Sequence, residues 1–251
     1  MRQTLPFRTR LRRVTSQPPP VAVVIPAKDE AQRIDATIRA ASAIANVDLV
    51  VVVDDGSSDE TSLVARDAGA DVVRHDRNQG KGKAMQTGAA YVARHEQATH
   101  ALLFIDADLE ESATQTGALV EPVVSGRADM TIAVLPTQKS AGGGRGFVVG
   151  LARRGIERLT GWTPTQPLSG MRCLTRDAFE AAQPLAHGWG VEVGLTVDVL
   201  RRGLTIEEVP CELHHRVTGT GFGDQLHRLH QYRDVWRALA VRRTRVALRR
   251  R

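Results

Sequence analysis

Three carboxylates stand at alternate positions in Ile105-Asp106-Ala107-Asp108-Leu109-Glu110. On extended backbone, alternate side chains share one side, so the three crowd together and repel unless a cation sits between them. A hard divalent ion with oxygen ligands, Mg²⁺ or Mn²⁺, suits that set. A solvated acidic loop is the alternative, and the buried-type run Ala101 to Ile105 just before it speaks for the metal. A second acidic string, Asp54-Asp55-Gly56-Ser57-Ser58-Asp59, offers acceptor-only carboxylates suited to a base N–H or to ribose hydroxyls. The same string would also serve as a turn that caps the next helix. Asn78-Gln79-Gly80-Lys81-Gly82-Lys83 brings two ammonium groups and two glycines ahead of a helix, a composition fit to approach phosphates. It lacks the spacing of a Walker loop, which disfavours P-loop hydrolysis. Pro26-Ala27-Lys28-Asp29-Glu30 has no glycine where a dinucleotide fingerprint would need one, and Gly144-Arg145-Gly146 lacks the acidic residue expected downstream.

These strings need a scaffold, and each follows an apolar run. Val21 to Ile25, Leu49 to Val53 and Ala101 to Ile105 read as strands buried on both faces, and Asp71 to Arg74 as a shorter one. Helical spacing covers Asp29 to Ala45, Asp59 to Ala68 and Lys83 to Arg94. Four strand–helix alternations predict a mostly parallel sheet flanked by helices, with ligands beyond the carboxyl ends of its strands. The second half is less regular. Strands are expected at Met130 to Leu135, Ser169 to Leu174 and Thr205 to Leu213. Helices are expected at Phe147 to Leu159, Arg176 to Ala182, Val191 to Arg202 and Gln225 to about Arg250, with a glycine-rich stretch at Ala141 to Gly146.

With 251 residues, 42% hydrophobic and 25% charged, the chain is neither collagen-like nor wholly disordered, and no apolar run reaches the roughly 18 residues of a membrane span. The net charge of +6 is unevenly spread: residues 1–13 carry five Arg, residues 237–251 carry seven, and neither end carries an acid. The body between them is therefore acidic. That pattern disfavours a nucleic-acid groove and fits ends that meet an anionic membrane surface, with solubility as the plainer alternative. Residues 1–20 read as a disordered basic arm closed by Pro18-Pro19-Pro20, with no secretory signal, and two cysteines fit a reducing cytoplasm.

The series Val21-Ala22-Val23-Val24-Ile25-Pro26-Ala27-Lys28-Asp29-Glu30, Val53 to Asp59, Asn78 to Gly82 and Asp106-Ala107-Asp108 resembles the family 2 glycosyltransferases of GT-A fold over about residues 21–240. The resemblance implies an α/β GT-A domain over 21–224, Rossmann-like and mostly parallel; beyond it, 225–251 reads as a basic amphipathic helix with Leu226, Leu229, Trp236, Leu239 and Ala240 on one side. It implies a nucleoside-diphosphate sugar, UDP or GDP, held by Pro26, Ala27, Glu30, Asp54, Asp55, Lys83, Asp106 and Ala107. Asp108 would be the principal ligand of Mg²⁺ or Mn²⁺, joined by Glu110 and His214, and the metal would neutralise the leaving diphosphate.

Asp106 to Glu110 is similar to the Asp-Ala-Asp-Leu-Gln motif of dolichyl- and polyprenyl-phosphate sugar synthases. Ser169-Gly170-Met171-Arg172, and Glu208-Val209-Pro210 with Arg216 and Gly219, extend that similarity and imply that Arg172 and Arg216 grip an acceptor phosphate. Two departures stand out. Thr165-Gln166-Pro167-Leu168 lacks the usual acid, and His214-His215-Arg216 is similar instead to the retaining glucosyl-phosphoglycerate synthases. Glu192, in Gly188-Trp189-Gly190-Val191-Glu192, lies where hydroxyl-glycosylating relatives place an acidic catalytic residue, or it pairs with an Arg. The expectation is an enzyme that transfers a sugar, with inversion, to a polyprenyl phosphate at the cytoplasmic membrane face. The alternative is transfer to a soluble acceptor, a phosphorylated small molecule or a hydroxylated metabolite. A non-catalytic nucleotide- or membrane-binding module is the rival from another class.

Overall fold

The computed structural model describes residues 18–94, 100–136, 145–213 and 222–249. Seven strands form one sheet: β1 (Val21–Ala27), β2 (Val47–Asp54), β3 (Asp71–Arg74), β4 (Ala101–Phe104), β5 (Met130–Val134), β6 (Arg172–Leu174) and β7 (Ile206–Pro210). Their spatial order is β3-β2-β1-β4-β6-β5-β7. Every pairing is parallel except those of β6, which runs antiparallel to both β4 and β5. The expected mostly parallel sheet is there, with one reversed strand in its middle.

Alternation along β1 explains why the sheet is covered on both sides. Val21, Val23 and Ile25 enter one apolar cluster, and Ala22 and Val24 the other. Each fully buried Val or Ile contributes roughly 1.5–3 kcal/mol of transfer free energy. Helices α1 (Ile34–Ser42) and α2 (Thr61–Asp67) cover the first face. The second face is covered by α3 (Lys81–Arg94), α6 (Arg176–Ala181) and α7 (Val191–Arg201). Helix α3 sits close because Gly88 meets the sheet: a Cβ there would collide with Val24 and come within 3.1 Å of Val53.

Among the described residues the remaining helices are α4 (Val120–Val124), α5 (Arg145–Thr160) and α8 (Phe222–Arg249), with 3-10 helices over Glu110–Leu119 and Gly188–Gly190 that the sequence pattern did not predict. Val235 and Leu239 of α8 pack with Val148, Ala152 and Ile156 of α5 and Val193 and Val197 of α7. Buried Arg242 donates to Asp198 of α7 through Nε at 2.9 Å and again through Nη2. Among the described residues no helix is long and apolar enough to cross a membrane.

Several element boundaries differ from the expectation for local reasons. Helix α1 starts at Ile34 rather than Asp29, because Asp29 takes a left-handed φ of 57° and its N–H binds Ser57 Oγ at 2.9 Å. The chain after Phe104 leaves the sheet and turns at Ala107-Asp108, so Asp106, Asp108 and Glu110 do not alternate along a strand. Glu110 itself has φ of 50°.

Candidate active site

A cleft of about 330 Å³ opens beyond the carboxyl ends of β1, β2 and β4, where a doubly wound sheet places its ligands. It is lined by Pro26, Ala27 and Lys28 after β1, Asp55 after β2, and Asn78, Gly80, Lys81 and Ala84 at the start of α3. Asp106 after β4 and Gly188 and Trp189 ahead of α7 complete it. Of the residues expected to hold a nucleotide, Pro26, Ala27, Asp55 and Asp106 therefore meet in one place.

Asp55 closes the turn that carries it. Its Oδ1 accepts from Gln79 N at 2.8 Å and from His75 Nδ1 at 2.7 Å, and its Oδ2 accepts from Gly80 N at 2.7 Å. Gly56 is required beside it: φ is +74° and a Cβ would lie 2.7 Å from the Arg77 carbonyl carbon. Asp106 accepts from Lys81 Nζ at 2.6 Å, and the same ammonium lies 3.5 Å from Glu192 Oε1. Burial alone would lower the Lys81 pKa, and the carboxylates of Asp106 and Glu192 more than reverse that, so the ammonium is held above its usual range. Gly170 admits this geometry, because a Cβ there would collide with the ammonium and lie 3.2 Å from Asp106.

Four expected site residues lie outside the cleft lining. Asp54 does not face the cleft; it is fully buried and accepts from Ser57 N at 2.8 Å and from Ser62 Oγ, so it builds the turn. Lys83 is exposed on the outer side of α3, in a separate groove with Gln86, Thr87, Arg94 and Arg176, while Lys81 points into the cleft. The helix begins at Lys81, and a separation of two residues turns its neighbour to the far side. Ala107 is buried in the core cluster; its carbonyl, not its side chain, is engaged, accepting from Thr37 Oγ1 at 2.9 Å. Arg172 is fully enclosed and grips no open space. It donates to Ser169 O at 2.8 Å, Glu192 O at 2.9 Å, Thr196 Oγ1 at 2.9 Å and Pro167 O at 3.2 Å. Burial pulls its guanidinium down to about 10, against the opposing carboxylates of Glu192 and Glu208. Arg172 thus locks the Pro167–Ser169 loop to α7.

Glu30 sits beside the cleft with its carboxylate on Arg33, at 2.9 Å from Nε and 2.7 Å from Nη2. Burial raises its pKa, the Arg33 guanidinium opposes this, and the charge of Asp108 adds to the rise. Arg33 is in turn held up first by Glu30, with Asp108 and Glu110 contributing through space. Glu30 thus touches the Arg33 guanidinium, while Asp108 and Glu110 act on it only through space. The carboxylates of Asp108 and Glu110 are the hard oxygen donors that would suit Mg²⁺ or Mn²⁺ with substrate phosphates completing its shell. Among the described residues no three metal-ligating side chains converge. His214, His215, Arg216 and Gly219 lie outside the described residues, as does the stretch 141–144.

The missing acid before Ser169 has a structural counterpart. Gln166 donates to Leu135 O at 2.6 Å and accepts from Leu135 N at 3.1 Å, while Glu208 receives Thr165 N and Gln166 N at 2.7 and 3.1 Å. Sequence reasoning missed Lys81 and His75. The first was in plain view inside a two-lysine segment, and the start of α3 decides between them.

A family model described as glycosyl transferase family 2 matches residues 22–181. The chain belongs to glycosyltransferase family 2. Among curated members, glycosyltransferase AglJ of Haloferax volcanii is 30% identical over 68% of this chain and 55% of its own length. Glucosyl-3-phosphoglycerate synthase of Mycobacterium tuberculosis is 30% identical over 72% of this chain and 61% of its own length. The chain thus spans somewhat over half of these two family 2 relatives. Among solved structures, the M. tuberculosis synthase with Mn²⁺, UDP and glucosyl-3-phosphoglycerate superposes with a TM-score of 0.72 and 28% identity, covering 89% of this chain and 80% of that one. The same synthase with Mg²⁺ and UDP gives a TM-score of 0.73 at 28% identity, covering 89% and 79%.

Proposed function

We propose that this family 2 chain is a metal-dependent glycosyltransferase that moves a sugar from a UDP-sugar to a small phosphorylated acceptor. The observation that carries the reading is the cleft itself: Asp55, Asp106 and Lys81 converge beyond the strand ends, in a fold similar to a synthase solved with UDP-glucose and phosphoglycerate. Asp55 receives a base N–H, and Pro26 and Ala27 form the apolar wall beside it. Asp108 and Glu110 would hold the divalent cation, which when bound would neutralise charge on the departing diphosphate. Lys81 keeps Asp106 and Glu192 from repelling an anionic donor. The acceptor oxygen bonds to the anomeric carbon as the bond to the diphosphate oxygen breaks, and UDP leaves with the electron pair. A hydroxyl acceptor also releases a proton, and Glu192 is the carboxylate assigned to take it.

Polyprenyl phosphate remains the second acceptor reading, on one observation. A groove of about 580 Å³ between α5 and α8 is lined by Arg154, Arg158, Arg243 and half-exposed Trp236, a surface suited to an anionic lipid headgroup layer. The test is release of UDP from UDP-sugars with Mn²⁺, with 3-phosphoglycerate or a short-chain polyprenyl phosphate added. Stimulation by phosphoglycerate, with product staying in water, supports the first reading. Product extracted into organic solvent replaces it with the second, and no release with either acceptor rejects both.

A further inference from the structure

His75 lies at the end of β3, is 8% exposed, and carries no motif signature. Both of its ring nitrogens are engaged. Nδ1 stands 2.7 Å from Asp55 Oδ1, and Nε2 stands 2.9 Å from Thr87 Oγ1 on α3. Against a carboxylate Nδ1 is the donor, and Nε2 faces the Thr87 hydroxyl, which can either donate or accept.

The consequence falls on Asp55. A carboxylate offers about four lone-pair positions, two on each oxygen. On Oδ1 both are taken, by His75 and Gln79 N, and on Oδ2 one is taken, by Gly80 N. Among the described residues, one position on Oδ2 is left for a ligand. Guanine presents two parallel donors, the ring N1–H and the exocyclic amine, and needs both oxygens of a carboxylate. Uracil and thymine present one ring N–H between two carbonyls and need a single acceptor. Cytosine and adenine have no ring N–H on that edge.

We propose that His75 is the positioning residue that sets base selection: by occupying Asp55 Oδ1 it makes the donor site specific for uridine or thymidine diphosphates over guanosine diphosphate. The proposal rests on reading Asp55 as the base-recognising carboxylate, and gives the uridine donor of that reading a structural cause. His75 touches Asp55 and not the donor, so its effect reaches the base through the carboxylate.

The experiment is calorimetric titration of UDP, TDP and GDP into the full chain with Mn²⁺, for wild type, His75→Leu, His75→Asn and Thr87→Val, with melting temperatures and donor KM and kcat alongside. Wild type binds UDP at least about tenfold more tightly than GDP, the scale of one hydrogen bond to a charged group. His75→Leu raises the donor KM about tenfold with kcat little changed, because base contacts are made alike in ground and transition states. Its UDP:GDP ratio falls toward one. His75→Asn, whose amide replaces the Nδ1 donor, restores the ratio, and Thr87→Val shifts it less in the same direction. A His75→Leu chain that melts lower but keeps the wild-type ratio overturns the proposal, as does a wild type that prefers GDP. Unchanged UDP affinity in Asp55→Ala removes the underlying reading, which separates that failure from failure of the His75 role.

Discussion

Lys81 Nζ stands 2.6 Å from Asp106 Oδ1, and this ion pair fastens the first turn of α3 to the loop that leaves β4. Gly170 leaves just enough room for it. Replacing Lys81 by Met leaves Asp106 in the cleft and buried Glu192 behind it without their shared cation. The expected result is loss of donor binding by at least about a hundredfold, with stability lowered by about 1–3 kcal/mol, less than for a fully buried pair because both partners are partly exposed. Gly170→Ala should copy the binding defect with a smaller change in melting temperature. Donor titration and thermal melts of the two variants check this, and wild-type donor affinity in either removes the pair from the site.

Arg172 tests whether a basic residue in a motif is read correctly as structure. Arg172→Met leaves the carbonyls of Ser169, Glu192 and Pro167 without their donor in a buried setting. A loss of about 3–5 kcal/mol is expected in chemical denaturation. Arg172→Lys recovers only part of it, since one ammonium cannot span the acceptors that a planar fork reaches. If instead acceptor KM rises while stability holds, the guanidinium meets the acceptor after all.

Asp108→Ala should abolish metal-dependent release of UDP while leaving the circular dichroism spectrum and melting temperature near wild type. Mn²⁺ binding in the presence of UDP is the direct readout. Full turnover of the variant at saturating Mn²⁺ would reject Asp108 as a ligand.

Acid should loosen the loops around the cleft. The Lys28 ammonium, with Ser58, holds Asp29 down to about 2. For Asp54, burial opposes ionisation, and the Ser57 and Ser62 donors outweigh it, so its pKa is also lowered. Carboxylates depressed in the fold stabilise it above the ordinary range near 4, and that contribution disappears as pH falls through their folded values. Melting temperature should drop between about pH 4 and pH 2, more gently for Asp29→Asn. Equal slopes for the two chains would contradict the assignment.

The donor half was readable because β1 and β2 are largely runs of β-branched residues and the acidic motifs fall at or within two residues of the ends of β2 and β4. What periodicity could not supply was direction. Asp54 and Asp55 are adjacent and alike, yet one turns inward to Ser57 and Ser62 and the other outward to the cleft. Lys81 and Lys83 pose the same ambiguity, settled by where α3 begins. Arg172 misled because a phosphate grip and a carbonyl lock demand the same fork of donors, and only the carbonyls of Pro167, Ser169 and Glu192 distinguish them. His75 gave no signal, since its partners Asp55 and Thr87 are 20 and 12 residues away.

The reversed strand β6 also sets a timetable. Strands β1 to β4 are complete once Phe104 has been made, and they can pair with one another without later sequence. The free edge of β4 must wait for its neighbour: Leu102 pairs with Leu174. At ~5–20 residues per second that interval lasts roughly 4–14 s of synthesis. Throughout it, a nascent chain presents Leu102, Leu103 and Phe104 on an open edge, the feature that recruits foreign strands. Slow translation between these two points should therefore favour aggregation of newborn chains over any later unfolding of the finished protein.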